Sequence, residues 1–332
     1  MALASLRLRA SLSVLALCSA AGAVSVPFQA GADTLIRLGH TLTTNDVRHA
    51  AAEYFGELVH ERTEGAVRVE VFPSSQLGDV VEVFEGLNLG TVQMTIAGST
   101  HLANVVPEFG VFDLPYLAPD VESFVELIDG EVGQALLDRL PDVGMRGLTF
   151  SNVSFRHIYT RSPVASFEDM SGLVIRVPGN PVYSDTMQAF GARPTPMALG
   201  EVFSAIQQGA IAGAENSAAL FFNSGHFEVA PYLALTYHAA LPTVFLISEV
   251  FWQGLDAETQ EIVQQAAREA GLYERENSAE VDEQALAELP NRGVTIHEVD
   301  LEPFIAAVGP VYERHRGRLG EELMDLVTGG LN

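Results

Sequence analysis

Lysine is missing from this chain: all 18 basic residues are arginine, set against 43 acidic ones, for a formal net charge of −25. A surface that acidic repels phosphate backbones and anionic bilayers, which excludes nucleic acid and membrane surfaces as partners. Two causes account for the pattern. One is a solvent of high ionic strength, where the Debye length falls to about 3 Å near 1 M salt. The other is a GC-rich genome that favours arginine codons. Cysteine is nearly absent too. The single one, Cys18, lies in an apolar leader with the bulky Leu17 before it, a poor lipoprotein site. Once that leader is cleaved, disulfides and thiol catalysis are excluded. After Asp33 no apolar run approaches the roughly 20 residues of a helical membrane span.

Catalytic and metal-binding motifs are also lacking. There is no H-E-x-x-H or H-x-H spacing, no G-x-S-x-G elbow, no Walker loop, and no G-x-G-x-x-G after a strand. Ser154, His157 and Asp169 do not make a triad motif. His40, His49, His101, His226 and His238 read as surface or hydrogen-bonded core residues. No metal, cofactor or enzymatic activity is expected from these patterns.

What is present begins with the N-terminus. Arg7 and Arg9 form a basic segment, Ala10 to Val24 is apolar, and Ala30-Gly31-Ala32 offers a small-residue cleavage site. Residues 1–32 therefore read as a signal peptide that directs the chain to the periplasm. The rest alternates. Leu35 to Leu38, Val67 to Phe72 and Val92 to Ile96 read as strands, separated by helical spacing at Asn45 to Glu64 and Val80 to Leu89. Strand, helix, strand, helix, strand is the signature of a mostly parallel sheet. Ligands sit beyond the carboxyl ends of such strands, so the loops starting near Gly39, Ser74 and Gly98 form a possible mouth, with His40, Gln76 and Ser99 as candidate contacts.

A second series follows. Strands are expected at Gly147 to Phe150, Phe155 to Thr160 and Leu173 to Val177, and helices at Tyr183 to Phe190 and Gly200 to Gln208. Leu233 to His238 and Val244 to Ser248 read as strands passing back to the first series. A helical stretch from Asp256 to about Leu289 is long for a globular helix and is expected to lie across both halves. The fold class is α/β, a two-domain periplasmic-binding-protein-like fold with a hinge. Domain I is expected to comprise residues 33–153 plus 242–281 and domain II residues 154–241 plus 282–332, with the ligand cleft between them.

Arg156 and Arg176 sit inside apolar, strand-like runs, where an unpaired charge is costly. An anion site resolves that cost, because a guanidinium fork matches both oxygens of a carboxylate. Asn216, after Gly213-Ala214-Glu215, has an amide able to join them.

In combination, several motifs carry a family resemblance. They are Pro73-Ser74-Ser75-Gln76-Leu77-Gly78, Phe112-Asp113-Leu114-Pro115-Tyr116, Phe155-Arg156-His157, Gly172-Leu173-Val174-Ile175-Arg176-Val177-Pro178, Pro194-Thr195-Pro196-Met197-Ala198 and Gly213-Ala214-Glu215-Asn216. Over about residues 35–325 the chain resembles the DctP-type solute-binding proteins of tripartite ATP-independent periplasmic (TRAP) transporters. The resemblance implies a monomer that closes over one small organic acid. Arg176 would be the main carboxylate partner, with Arg156 and Asn216 assisting. Met197, Leu199 and Phe221 complete the candidate ligand contacts. Delivery to a permease of small and large membrane subunits is implied as well. Departures at Leu199, Asp79-Val80-Val81 and Gly98 imply an apolar far end, unsuited to sialic acid and less suited to large sugar acids. A ligand-presenting sensor and an enzyme using His157 or Glu215 are the alternatives.

Overall fold

The computed structural model describes residues 34–151 and 153–329; the expected signal peptide lies outside them. Among the described residues, no helix is long and apolar enough to cross a membrane.

Two sheets organise these residues. The first has the strand order β2-β1-β3-β10-β4, where β1 is Thr34–Gly39, β2 Val67–Phe72, β3 Met94–Gly98, β4 Met145–Phe150 and β10 Thr243–Ser248. β1 lies parallel to β2 and β3, whereas β10 runs antiparallel to β3 and β4. The central strands carry apolar residues on both faces because helices cover both sides, and every residue of β3 and β10 is buried. Helix α1, Val47–Arg62, starts where Asp46 caps it and buries Ala51, Phe55, Leu58 and Val59 along one stripe. Helix α2, Val80–Leu89, opens with a reciprocal capping box between Asp79 and Glu82, and Gly90 closes it in the left-handed region.

The second sheet has the order β11-β9-β5-β8-β6-β7. Its strands are β5 (Phe155–Thr160), β6 (Val174–Val177), β7 (Arg193–Pro196), β8 (Gly213–Asn216), β9 (Tyr232–Ala240) and β11 (Thr295–Glu298). β8 approaches β5 so closely that a Cβ on Gly213 would stand 2.0 Å from the Tyr159 carbonyl oxygen. Two prolines in β7 hid it from the alternation pattern. They are tolerated because β7 is an edge strand.

The expectation for Leu233 to His238 needs correction. Those residues belong to β9, which pairs with β5 and β11 in the second sheet; only β10 returns to the first. The switch falls at Leu241-Pro242, where proline has no N–H to continue a ladder. β9 also bulges: Arg156 pairs with Ala239 but Ile158 pairs with Ala234. Tyr237 in the bulge takes a φ of +46°.

The chain passes between the sheets in the connection from β4 to β5 and again at residues 241–242. These two connectors are tied together: the Ser151 and Thr243 hydroxyls are 2.7 Å apart, and Ser151 N donates to Thr243 O at 2.8 Å. The long helix Ala257–Glu288 flanks both sheets. Its first half packs on α1, where Arg62 grips Glu269 through two contacts of 2.9 and 2.7 Å. Gly271 permits close passage over β4, since a Cβ there would meet Thr149 Cγ2 at 2.9 Å. Its second half reaches the other sheet: Asp282 accepts from Ala219 N at 2.7 Å, and Leu286 packs with Leu289 and Val294.

Candidate functional site

A cavity of about 520 Å³ opens between residues that follow strands of the two sheets. On the first-sheet side its wall comes from the segments after β1, β2 and β3, through Leu42, Ser75 and Thr100 among others, with Arg48 from α1 and Val81 from α2. On the second-sheet side Arg156, Arg176 and Asn216 face it, together with Met197 and Leu199 beyond β7.

The three arginines are held differently. Arg156 projects from β5 toward β8, where the register sets Ile158 against Glu215 and His157 against Asn216. Its Nε and Nη2 donate to the two Glu215 carboxylate oxygens at 2.5 and 2.9 Å, and Nη1 donates to Asn216 Oδ1 at 3.0 Å. Its guanidinium carbon lies 5.3 Å from the centre of the Tyr183 ring. Glu215 is fully buried. Burial pushes its pKa up, but the Arg156 charge and hydrogen bonds from His238 and Arg156 outweigh that, and the net shift is down. The pair therefore stays ionised and internally neutral. His238 Nε2 stands 3.5 Å from Glu215 Oε2, while its Nδ1 lies 2.8 Å from the Thr236 hydroxyl.

Arg48 was not among the residues singled out from sequence. It is the second residue of α1 and is clamped by the residue that caps that helix: Nε and Nη2 donate to Asp46 at 2.7 and 2.6 Å. The signal available was an arginine just inside a helix N-terminus that follows the end of a parallel strand.

Arg176 is the exception. It is 4% exposed, and its Nε and Nη2 donate to one backbone carbonyl, Met197 O, at 2.9 and 2.7 Å. No salt bridge among the described residues includes it. Burial lowers its pKa from the ordinary arginine value, opposed by the charge of Glu215. A buried guanidinium with no carboxylate partner among the described residues and one edge on a cavity has the chemistry to pair with an anion.

The other residues singled out from sequence do not line the cavity. His40 is buried; its Nδ1 accepts from Leu42 N at 3.2 Å and its Nε2 lies 3.1 Å from His49 Nδ1. Ser99 is buried and donates to Asp113 at 3.3 Å. Phe221 is buried and stacks on Tyr159, with ring centres 4.5 Å apart. Gln76 is exposed in the turn after β2, and its neighbour Ser75 is the one that lines the cavity. His101 departs from the expectation in the other direction, since it stands on the cavity wall. Burial, Arg176 and Arg156 push its pKa down to about 4, so the ring is neutral near pH 7.

Comparison with known proteins is consistent along the chain. Residues 38–317 match the family model for DctP, bacterial extracellular solute-binding protein, family 7. The C4-dicarboxylate-binding periplasmic protein DctP of Rhodobacter capsulatus is 33% identical over 310 residues, covering 92% of this chain and 93% of its own. A TRAP periplasmic solute-binding protein from Pseudomonas putida F1, solved with bound D-glucuronate, superposes with a TM-score of 0.85 at 33% identity, covering 89% of this chain and 96% of its own. The sugar acid binding protein of Advenella mimigardefordensis, solved with galactonate, gives 0.85 at 30% identity, covering 88% and 96%. A two-sheet α/β frame, a buried arginine on its cavity and matches of this extent lead to one conclusion: the chain belongs to the DctP family of bacterial extracellular solute-binding proteins, those that serve TRAP transporters.

Proposed function

We propose that this protein captures one small organic acid by its carboxylate at Arg176, leaves it chemically unchanged, and delivers it from the periplasm to a TRAP permease of small and large membrane subunits. The observation that carries this reading is the buried Arg176 guanidinium, which faces the cavity with Met197 O as its only acceptor among the described residues. An incoming carboxylate gains charge-assisted hydrogen bonds of about 1.5–3 kcal/mol each in that setting. Arg156 and Asn216 already bond to each other, so they support the site from behind and at its edge.

Capture without chemistry is supported by the state of the two side chains closest to a catalytic role. Glu215 is engaged by Arg156. His157 is buried, and burial, His238 and Arg156 push its pKa down to about 3. Neither is poised to take a proton from a ligand. The two sheets with their connectors support a division into residues 33–153 plus 242–281 and 154–241 plus 282–332, moving about the β4–β5 and β9–β10 connections. Closure then follows from ligand contacts made only in the closed form. Residues 1–32 act as a cleaved signal peptide, and the mature chain works as a monomer.

A thermal-shift screen of organic acids tests the reading. An acid present at about 100 times its Kd adds about 2.7 kcal/mol of stability, a shift of a few degrees. A panel in which sugar acids, hydroxy acids and dicarboxylates all leave the melting temperature unchanged contradicts it.

A further inference from the structure

The charges around the cavity can be paired off. Arg48 is balanced by Asp46 and Arg156 by Glu215, which leaves Arg176 as the single cation on the wall without a carboxylate partner among the described residues. Two other titratable side chains line the cavity, His101 and Asp79. Asp79 is exposed at the rim, where its carboxylate accepts from Val81 N at 2.9 Å and Glu82 N at 3.4 Å to start α2. His101 belongs to the short helix α3, Ser99–Leu102, directly after β3. Its Nδ1 is buried without a hydrogen-bond partner, close to where a Cβ of Gly98 would stand.

The charged groups that act on the His101 ring come from three elements: Arg176 of β6, Arg156 of β5 and Asp79 at the start of α2. The two guanidiniums oppose a proton on the ring, whereas the Gly98 backbone and Asp79 favour one. Burial adds to the guanidiniums, and together they prevail.

From this geometry we infer that His101 is a specificity-determining residue, which makes the cavity accept monocarboxylates and reject dicarboxylates of the same skeleton. The inference rests on the reading that Arg176 takes the first carboxylate. A second carboxylate would then face an uncharged imidazole and the like-charged Asp79, with no free cation to receive it. It could be accommodated only with a proton, taken up by His101 or by the second carboxyl itself. A hydroxyl or oxo group at that place meets a neutral ring nitrogen that can donate or accept, according to its tautomer. The family relatives leave the choice open, since one is named for C4-dicarboxylates and another was solved with galactonate. The charge balance of this cavity favours the second type.

The test uses the full mature protein and matched acids: galactonate against galactarate, 2-hydroxybutyrate against malate, and butyrate against succinate. A thermal-shift screen picks the pair that binds, and calorimetry in two buffers of different ionisation enthalpy then counts protons. The monoacid is expected to bind at least tenfold more tightly at pH 7.5. The diacid should gain affinity as pH falls and take up close to one proton. His101→Arg supplies a second cation and should raise diacid affinity at least tenfold, while His101→Gln, still neutral, keeps the monoacid preference. Melting of each variant without ligand checks that it is folded. Equal binding of both acids by the wild type with no proton uptake overturns the inference, as does a folded His101→Arg protein with unchanged preference. Should His101→Arg not fold, the wild-type proton count and His101→Gln decide alone. If no acid of any pair binds, the organic-acid reading fails and this inference falls with it. Monoacid binding that survives Arg176→Ala shows instead that the first carboxylate sits elsewhere.

Discussion

Arg176 donates through Nε and Nη2 to a single oxygen, the backbone carbonyl of Met197, at 2.9 and 2.7 Å. That contact fixes the orientation of the guanidinium without neutralising it. The neighbouring Arg156 is both fixed and neutralised, by Glu215. β6 and β5 flank the same strand, β8, yet only one of the two arginines has a carboxylate partner among the described residues.

Replacing Arg176 with methionine should not destabilise the empty protein, because it removes a buried, unpaired charge whose desolvation opposes folding. The melting temperature without ligand is expected to hold or rise, and the ligand-induced shift to vanish. A drop of several degrees without ligand would show that Arg176 is structural.

Glu215→Gln should be costly in a way that ligand does not repair. It leaves Arg156 buried with no counter-charge, and breaking a buried pair from one side typically costs about 3–5 kcal/mol. Urea unfolding at neutral pH measures it. A loss below about 1 kcal/mol would mean that the pair is not electrostatically important.

Glu274, on the long helix, is fully buried beside the connectors; its Oε1 is 3.5 Å from the Thr243 hydroxyl and its Oε2 has no partner. Burial pushes its pKa up from 4.5 to about 7, against the pull of Arg48. Between those values the folded chain holds a proton that the unfolded chain has released, so stability falls as pH rises. At 1.36 kcal/mol per pH unit this amounts to about 3 kcal/mol from Glu274 alone. Glu274→Gln should flatten that slope and be the more stable protein at pH 8, as read by denaturant unfolding from pH 4.5 to 8. Parallel pH profiles for mutant and wild type would contradict this.

Much of the frame was legible in the sequence because strong local patterns agree with the tertiary structure. Val67–Phe72, Val80–Leu89 and Phe155–Thr160 were delimited correctly because alternation, a capping box and flanking breakers coincide there. β7, β8 and β11 were not foreseen. Each has only four residues, too few for a period to show, and their strand geometry depends on their neighbours. The sheet assignment of β9 was missed for a related reason, since alternation identifies a strand but not its partner. At the site, a charge inside an apolar run pointed to Arg176 and Arg156 but could not tell which was already paired. That depended on Glu215, one strand away. Arg48 and His101 lie on short helical starts, where no periodicity separates a cavity wall from a surface.

The most direct test of the account is isothermal calorimetry with the tightest-binding acid from the panel, on wild type, Arg176→Ala and Arg176→Lys. The alanine variant is expected to lose about 3 kcal/mol or more of binding free energy, as when one partner of a buried charge pair is truncated. The lysine variant should also bind more weakly than wild type, because a point charge does not reproduce the fork. Wild-type affinity in a folded Arg176→Ala protein would contradict the central claim.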